Sequence, residues 1–369
     1  MPAQPLRSLP MRSLHVGSAM IDIICIVAAE NIERMTFTNE GKAFLMVETG
    51  RKVAAESITN HVGGGACNTA VGLTRRGWLT DVLAKTGEDL NAEAVREHLE
   101  LNGVSTEHLI TAERLATGTA VMVASHDRNA SIFVHRGANE TLAPCDLPDE
   151  IFAGRDLVYV APLSSASADC MPDLVARAKR AGALVAVNPG IRQLASRTQA
   201  FIDALADIDL ISVNRVEAET LVPAIMARAA PGDAGPPPEN GPELMKRGLT
   251  FGGFEIGLAP FMEALRTLGP RWVLVTDAIK GAYLAAPEGI FWRPALPVTV
   301  QGTAGAGDSY TSTLTAALAE GLEPAEAMLE AAINAASVVG ALDTTSGLLT
   351  PEQTARRLAA LSDVVLIKI

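Results

Sequence analysis

Aromatic residues are scarce, at 4% of 369 positions, and a surface that stacks nucleic-acid bases needs several of them. Excess positive charge is missing too: the formal balance is −12, which excludes non-specific attachment to polyanions and argues against a nucleic-acid partner. A nucleotide, itself an anion, would need a focused local site and a divalent cation. No run reaches the ~20 consecutive apolar residues of a membrane-spanning helix, and the apolar stretch 21–29 is interrupted by Asp22. Residues 1–14 are polar and carry three prolines, unlike a secretory leader. Cys25, Cys67, Cys145 and Cys170 form no Cys-x-x-Cys pair and have no histidine cluster at zinc spacing. They read as reduced core thiols, and the chain as cytoplasmic.

What is plentiful is core material, 48% of the residues. Short runs of Val, Ile and Leu at 14–19, 157–161, 183–188, 210–214 and 272–276 read as strands buried on both faces. Helix-like segments at 91–102, 168–181 and 261–268 lie between them. This alternation predicts an α/β fold, a doubly wound and mainly parallel sheet with helices on both faces. Residues 1–12 read as a flexible tail before one domain over 13–369. Segments 36–60 and 117–137 lack a helical period but hold strand-like pieces (43–47, 119–124 and 131–135), the last two joined by a polar turn at 125–129. They predict a small β-sheet lid over a substrate, with edge strands of the main sheet as the alternative. Residues 229–259, rich in Gly and Pro, read as a surface insertion, mobile at least in its first half.

Three local patterns can carry chemistry. The run Gly302-Thr303-Ala304-Gly305-Ala306-Gly307-Asp308 precedes a helical pattern that Gly321 is placed to end. Such a junction presents unpaired N–H groups at the positive end of a helix, suited to a transferring phosphoryl group. An aspartate at that mouth can accept the proton of an attacking hydroxyl; an aspartate there can also simply cap its helix. The run His61-Val62-Gly63-Gly64-Gly65-Ala66-Cys67-Asn68 lets a ligand approach main chain, with Asn68 as donor and acceptor for a polyhydroxylated molecule, or as a helix cap. Asp22, among isoleucines just past the first strand, needs partners or a cleft.

Together and in this order, these patterns resemble the ribokinase-like (PfkB) family of carbohydrate and nucleoside kinases, from about residue 13 to about residue 361. The resemblance implies Asp308 as catalytic base and Gly305, Ala306 and Gly307 as its anion hole. It places Asp22, Gly64, Gly65, Asn68 and Asn139 at the substrate, with Gly65 standing where ribokinases often carry a lysine. Asn214 and Glu217 match an Asn-x-x-Glu motif linked to phosphate and magnesium, with Glu217 on the metal side. Thr276, Gly281, Thr303, Asn334 and Ser337 fall where the family contacts its nucleotide. ATP and Mg2+ are thereby implied. Gly302 stands where the family usually has an aspartate that helps organise a monovalent-cation site, so K+ dependence is in question. The activity implied is transfer of the ATP γ-phosphoryl group to a primary hydroxyl of a sugar or sugar-like molecule, with a nucleoside as the alternative acceptor. A non-catalytic sugar- or nucleotide-binding regulator of the same fold also fits. Phe37, Phe44, Phe133 and Tyr159 are the candidate platforms for a base. A homodimer through the lid is expected, because a small sheet leaves open edges. A dinucleotide-binding dehydrogenase does not fit, because Gly17-Ser18-Ala19-Met20 follows the first strand instead of a Gly-x-Gly-x-x-Gly turn.

Overall fold

The computed structural model describes residues 9–37, 42–50, 52–124, 130–229, 241–361 and 366–368. Its main sheet runs in the order Ile367–Lys368, Gly289–Arg293, Ala282–Ala286, Trp272–Thr276, Leu210–Asn214, Leu184–Val187, Leu157–Val160, Arg12–Val16, Leu79–Thr86, Leu109–Thr111. From Trp272–Thr276 to Leu109–Thr111 every pairing is parallel; the strands beyond are antiparallel. Alternate side chains of one strand enter different cores. Val158 and Val160 join Leu174, Phe201, Leu221 and Phe261 on one face. Leu157 and Tyr159 join Leu314, Ala317, Met328 and Ala331 on the other. Burial on both faces explains why these strands are apolar at consecutive positions. The expected doubly wound architecture is therefore present.

Arg12–Val16 sits between Leu157–Val160 and Leu79–Thr86, so the chain winds away from it in both directions. Ligands bind open α/β sheets in the crevice at the strands' carboxyl ends where winding reverses. The sequence after Val16 delivers Gly17, Ser18 and Asp22 to that place.

A second sheet of four strands stands apart, ordered Ala55–Gly63, Met20–Val27, Gly118–Ala124, Ala130–His135. Its strands do not extend the main sheet, which excludes the edge-strand alternative. Two expectations change in detail. Met20–Val27 is a central strand of this sheet, pairing Asp22 with His61 on one side and Ala120 on the other. Residues 43–47 instead fall in a separate hairpin, Glu33–Phe37 with Lys42–Met46. The turn at 125–129 lies outside the described residues.

The insertion read at 229–259 needs correction in its second half. Glu243–Arg247 is helical, Leu249–Phe251 pairs with Phe254–Ile256, and Leu244, Met245, Leu249 and Ile256 belong to the main core. Their apolar spacing was masked by the glycines of the hairpin turn. Residues 230–240 lie outside the described residues, as do 1–8 of the expected tail. Arg12 already pairs with Leu79. No described helix is long and apolar enough to cross a membrane. All four cysteines are free, but Cys145 is exposed and is not a core thiol.

Candidate active site

Gly65–Arg75 and Ala306–Ala319 are the two helices that build the site. The second begins at Gly305, whose left-handed φ of +76° turns the chain into the helix. The helix's own ladder opens with Ser309 N–H donating to Gly305 O at 2.8 Å. The N–H groups of Ala306, Gly307 and Asp308 precede that ladder and face outward at the positive helix end. A Cβ at Gly307 would meet nothing within 4 Å, so there is open space in front of these groups.

Asp308 is not the cap. It is the third helical residue, and its Oδ2 accepts a hydrogen bond from Asn68 Nδ2 at 2.8 Å. Asn68 likewise lies inside its helix instead of capping it, with its N–H bonded to Gly64 O. The other end of the Asn68 amide accepts from Thr344 Oγ1 at 2.7 Å. Burial pushes the Asp308 carboxyl up to about 6, and donation from Asn68 opposes that rise. Asp22 is also raised to about 6, first by burial and then by the negative charge of Asp308. A carboxyl in a lid strand thus feels the charge of one at a helix start, which makes Asp22 harder to ionise. The Cys67 thiol beside them is pushed up to about 12 by burial and by Asp22, which leaves it inert as a nucleophile.

The glycine run is explained by contacts. A Cβ at Gly63 would fall 1.9 Å from Asp22 Oδ2, and one at Gly64 2.4 Å from Ser18 O. A Cβ at Gly65 would fall 2.7 Å from the Ala161 Cβ. Gly65 N–H donates to Ser18 Oγ and Ala66 N–H to Ser18 O. The lid strand can therefore lie directly on the start of the helix.

A second cluster forms where Leu210–Asn214 and Trp272–Thr276 end side by side, with Asn214 opposite Thr276. Asn214 and Glu217 close a reciprocal cap: Glu217 N–H donates to Asn214 Oδ1 at 3.0 Å, and Asn214 N–H to Glu217 Oε2 at 2.9 Å. Glu217 is buried and raised to about 7 by that burial. Its carboxylate is held by Asn214, whose hydrogen bonding opposes the rise. Thr276 leads into a turn closed by Asp277 N–H donating to Gly281 O. Gly281 has φ +101°, and a Cβ there would meet Arg293 O at 2.1 Å, so the position admits only glycine. The clusters are linked by Ser212 Oγ and Thr311 Oγ1, 2.8 Å apart. Thr303 is exposed in the loop before the Asp308 helix.

Two of the expected site residues also bond inside the fold. Asn139 clamps the base of the lid, Oδ1 accepting from Ala19 N–H and Nδ2 donating to Ala19 O and Arg136 O. Asn334 donates to Thr313 Oγ1 and accepts from Leu349 N–H. Both amides are thus anchored by the fold itself. Ser337, three residues on, is buried. Tyr159 is fully buried and stacks on His15 at 5.8 Å, so it offers no platform for a base; Phe37, Phe44 and Phe133 are exposed. Sequence reasoning missed Ser18 and Thr344, small hydroxyl residues in loops with no local signature. A cavity of about 500 Å³ lined by His61, Arg75, His98 and Asp343 contains none of the residues placed at the acceptor or phosphates.

The profile of the pfkB family carbohydrate kinases matches residues 14–228 and 258–351. The chain belongs to this family. It is 23% identical to the ribokinase of Bacillus subtilis over 316 residues, 85% of this chain and 92% of that one. It is 24% identical to the bifunctional ribokinase/ribose-5-phosphate isomerase A of Fructilactobacillus sanfranciscensis over 259 residues, 70% of this chain. It spans only 42% of that longer relative. The Arabidopsis thaliana ribokinase solved with ribose and ATP superposes with a TM-score of 0.70 at 22% identity, covering 95% of this chain and 98% of that one. The nucleoside kinase of Methanocaldococcus jannaschii superposes with a TM-score of 0.67 at 17% identity, covering 95% and 98%. At these identities the superpositions establish the ribokinase-like fold.

Proposed function

We propose that this chain transfers the γ-phosphoryl group of ATP to a primary hydroxyl of a sugar or sugar-like acceptor, with Asp308 as the base. The observation that carries the reading is the position of the Asp308 carboxylate. It stands in the first turn of a helix whose leading N–H groups face open space, opposite Asp22 and in reach of Asn68. The acceptor lies between the sheets, its hydroxyls held by Asp22, by Asn68 and by main chain at Gly64. Asp308 accepts the proton of the attacking hydroxyl as the oxygen–phosphorus bond forms, and ADP carries away the electrons of the broken bond. The N–H groups of Ala306, Gly307 and Asp308 receive the charge that develops on the phosphoryl oxygens. The strands Met20–Val27 and Ala55–Gly63 exclude water, which competes as an acceptor.

Glu217 is the residue that would hold magnesium, in part through water. Its buried carboxylate, raised to about 7 by that burial, suits a neighbouring cation. Magnesium supplies charge neutralisation between the phosphates when bound. Asn214, Thr276, Gly281 and Thr303 line the nucleotide side, and Ser337 lies behind it. We further propose that catalysis needs no potassium. At Gly302 a Cβ would sit 3.0 Å from both Ala341 O and Leu342 O, which leaves poor room for an aspartate.

An ADP-release screen across pentoses, hexoses, sugar acids and nucleosides, with and without potassium, tests the reading. Turnover with a sugar in potassium-free buffer supports it; a strict potassium requirement overturns the cation part. A nucleoside is the second acceptor class, favoured by the exposed Phe37, Phe44 and Phe133, and turnover with nucleosides alone would select it. Heat of ligand binding without ATP consumption would mark a regulator. The lid is also proposed as the contact of a homodimer, because Ile58, Ile132, Phe133 and Val134 are exposed on its strands. A monomeric mass by light scattering would contradict this.

A further inference from the structure

We propose that Thr344 is the positioning residue that aims the Asn68 amide at Asp308; the proposal rests on the reading of Asp308 as the base. An amide's two ends have nearly the same shape, so packing does not decide which way it points; its partners do. Here Asn68 Nδ2 donates to Asp308 Oδ2 at 2.8 Å, while Asn68 Oδ1 accepts from Thr344 Oγ1 at 2.7 Å. The hydroxyl has one proton, and its other acceptor in reach, Val62 O, is at the 3.5 Å limit. Thr344 is buried, which keeps water from substituting for it.

Thr344 also touches the start of the Asp308 helix. A Cβ at Gly305 would fall 2.8 Å from the Thr344 Cβ, so the absent side chain of Gly305 is what admits Thr344. The loop holding it is fixed by Asp343, whose Oδ1 accepts from the N–H groups of Thr345 and Ser346 at 2.8 and 2.7 Å. One residue thereby sets both the helix start and the amide that faces the base. Without its hydroxyl, Asn68 is free to turn its carbonyl toward the carboxylate. The donation that opposes the upward shift of the Asp308 carboxyl is then lost, and the carboxyl titrates higher still. The other ionisable groups facing Asp308 are Asp22 from the lid strand and the Tyr159 hydroxyl from the main sheet. Neither touches Thr344 in the described contacts, so a change at Thr344 reaches the base through Asn68.

The test compares Thr344→Val, which keeps the shape and removes the donor, with Thr344→Ser, which keeps the donor. Each is assayed for kcat against pH, acceptor KM and ATP KM, after a thermal melt confirms folding. Valine should lower kcat about 10-fold at pH 7, within the range for disturbing a general base. It should also move the acid limb of the profile upward by about half a unit and leave ATP KM alone. Serine should retain the wild-type limb and most of kcat. A valine variant with wild-type kcat and limb overturns the proposal, as does a serine variant impaired as much as valine, which would make the role one of packing. Thr344→Ala, read the same way, replaces valine should valine not fold. An inactive wild type, or an active Asp308→Asn, overturns the base and this proposal together; an active wild type with inactive Asp308→Asn and unaffected Thr344→Val overturns this proposal alone.

Discussion

The starts of two helices invite comparison, because each carries a carboxylate at its third position and uses it differently. In Arg215–Arg228, Glu217 folds back onto Asn214 and closes a reciprocal cap. In Ala306–Ala319 the residue before the helix is Gly305, which has no side chain to cap with, and Asp308 reaches away to Asn68. Both carboxyls are raised by burial, to about 7 and about 6. A helix start closed by its own cap is a structural joint. A helix start left open by glycine keeps its N–H groups and its acid for something outside the helix.

The sharpest break in that contrast is Asp308→Asn. It should lower kcat by about 10³-fold, the scale of a lost general base, with ATP affinity by titration unchanged; near-normal turnover would refute the open-start reading. Asp22→Asn comes next, raising acceptor KM about 10-fold or more while kcat falls less, since a hydroxyl hold of ~1.5–3 kcal/mol is weakened. Gly307→Ala and Gly305→Ala should then separate. The first adds a methyl in open space and stabilises the helix by about 0.5–1 kcal/mol while slowing turnover; the second, at φ +76° and against Thr344, lowers the melting temperature. Equal melting temperatures would show that neither glycine is kept for the reason given. Glu217→Gln preserves an acceptor for the Asn214 N–H, so the melt should hold while the magnesium needed for half-maximal rate rises several-fold; an unchanged requirement removes Glu217 from the metal.

pH gives the smallest effects. Asp308 must be ionised to accept a proton, so kcat should fall as pH drops through about 6. Stability moves the other way. Asp22 and Asp308 hold protons more tightly in the folded chain than their usual 3.8, so folding takes up protons between about pH 4 and 6. Their burial penalty is present above that window and relieved below it. Asp308→Asn should accordingly melt about 2 °C higher than wild type at pH 7 and show a smaller gain at pH 5.

Much of this was set by local sequence. Consecutive apolar residues in Leu157–Val160 and Trp272–Thr276 reported strands covered on both faces, and Gly305 followed by an acid reported an open helix start, because both signals act over a few residues. Tertiary structure decided the rest. Asp22 sits inside a lid strand although it reads as part of a connection, since only pairing with His61 and Ala120 reveals the strand. Residues 243–256 join the core although their glycines suggested a surface loop. Asn139 and Asn334 carry suitable chemistry, and tertiary contacts with Ala19 and Leu349 fix where their amides stand. Thr344 acts on Asn68 across 276 residues of sequence. Composition and spacing record what a residue can bond to. Which partner it meets is fixed only when distant segments pack, because a hydrogen bond requires contact within about 3 Å.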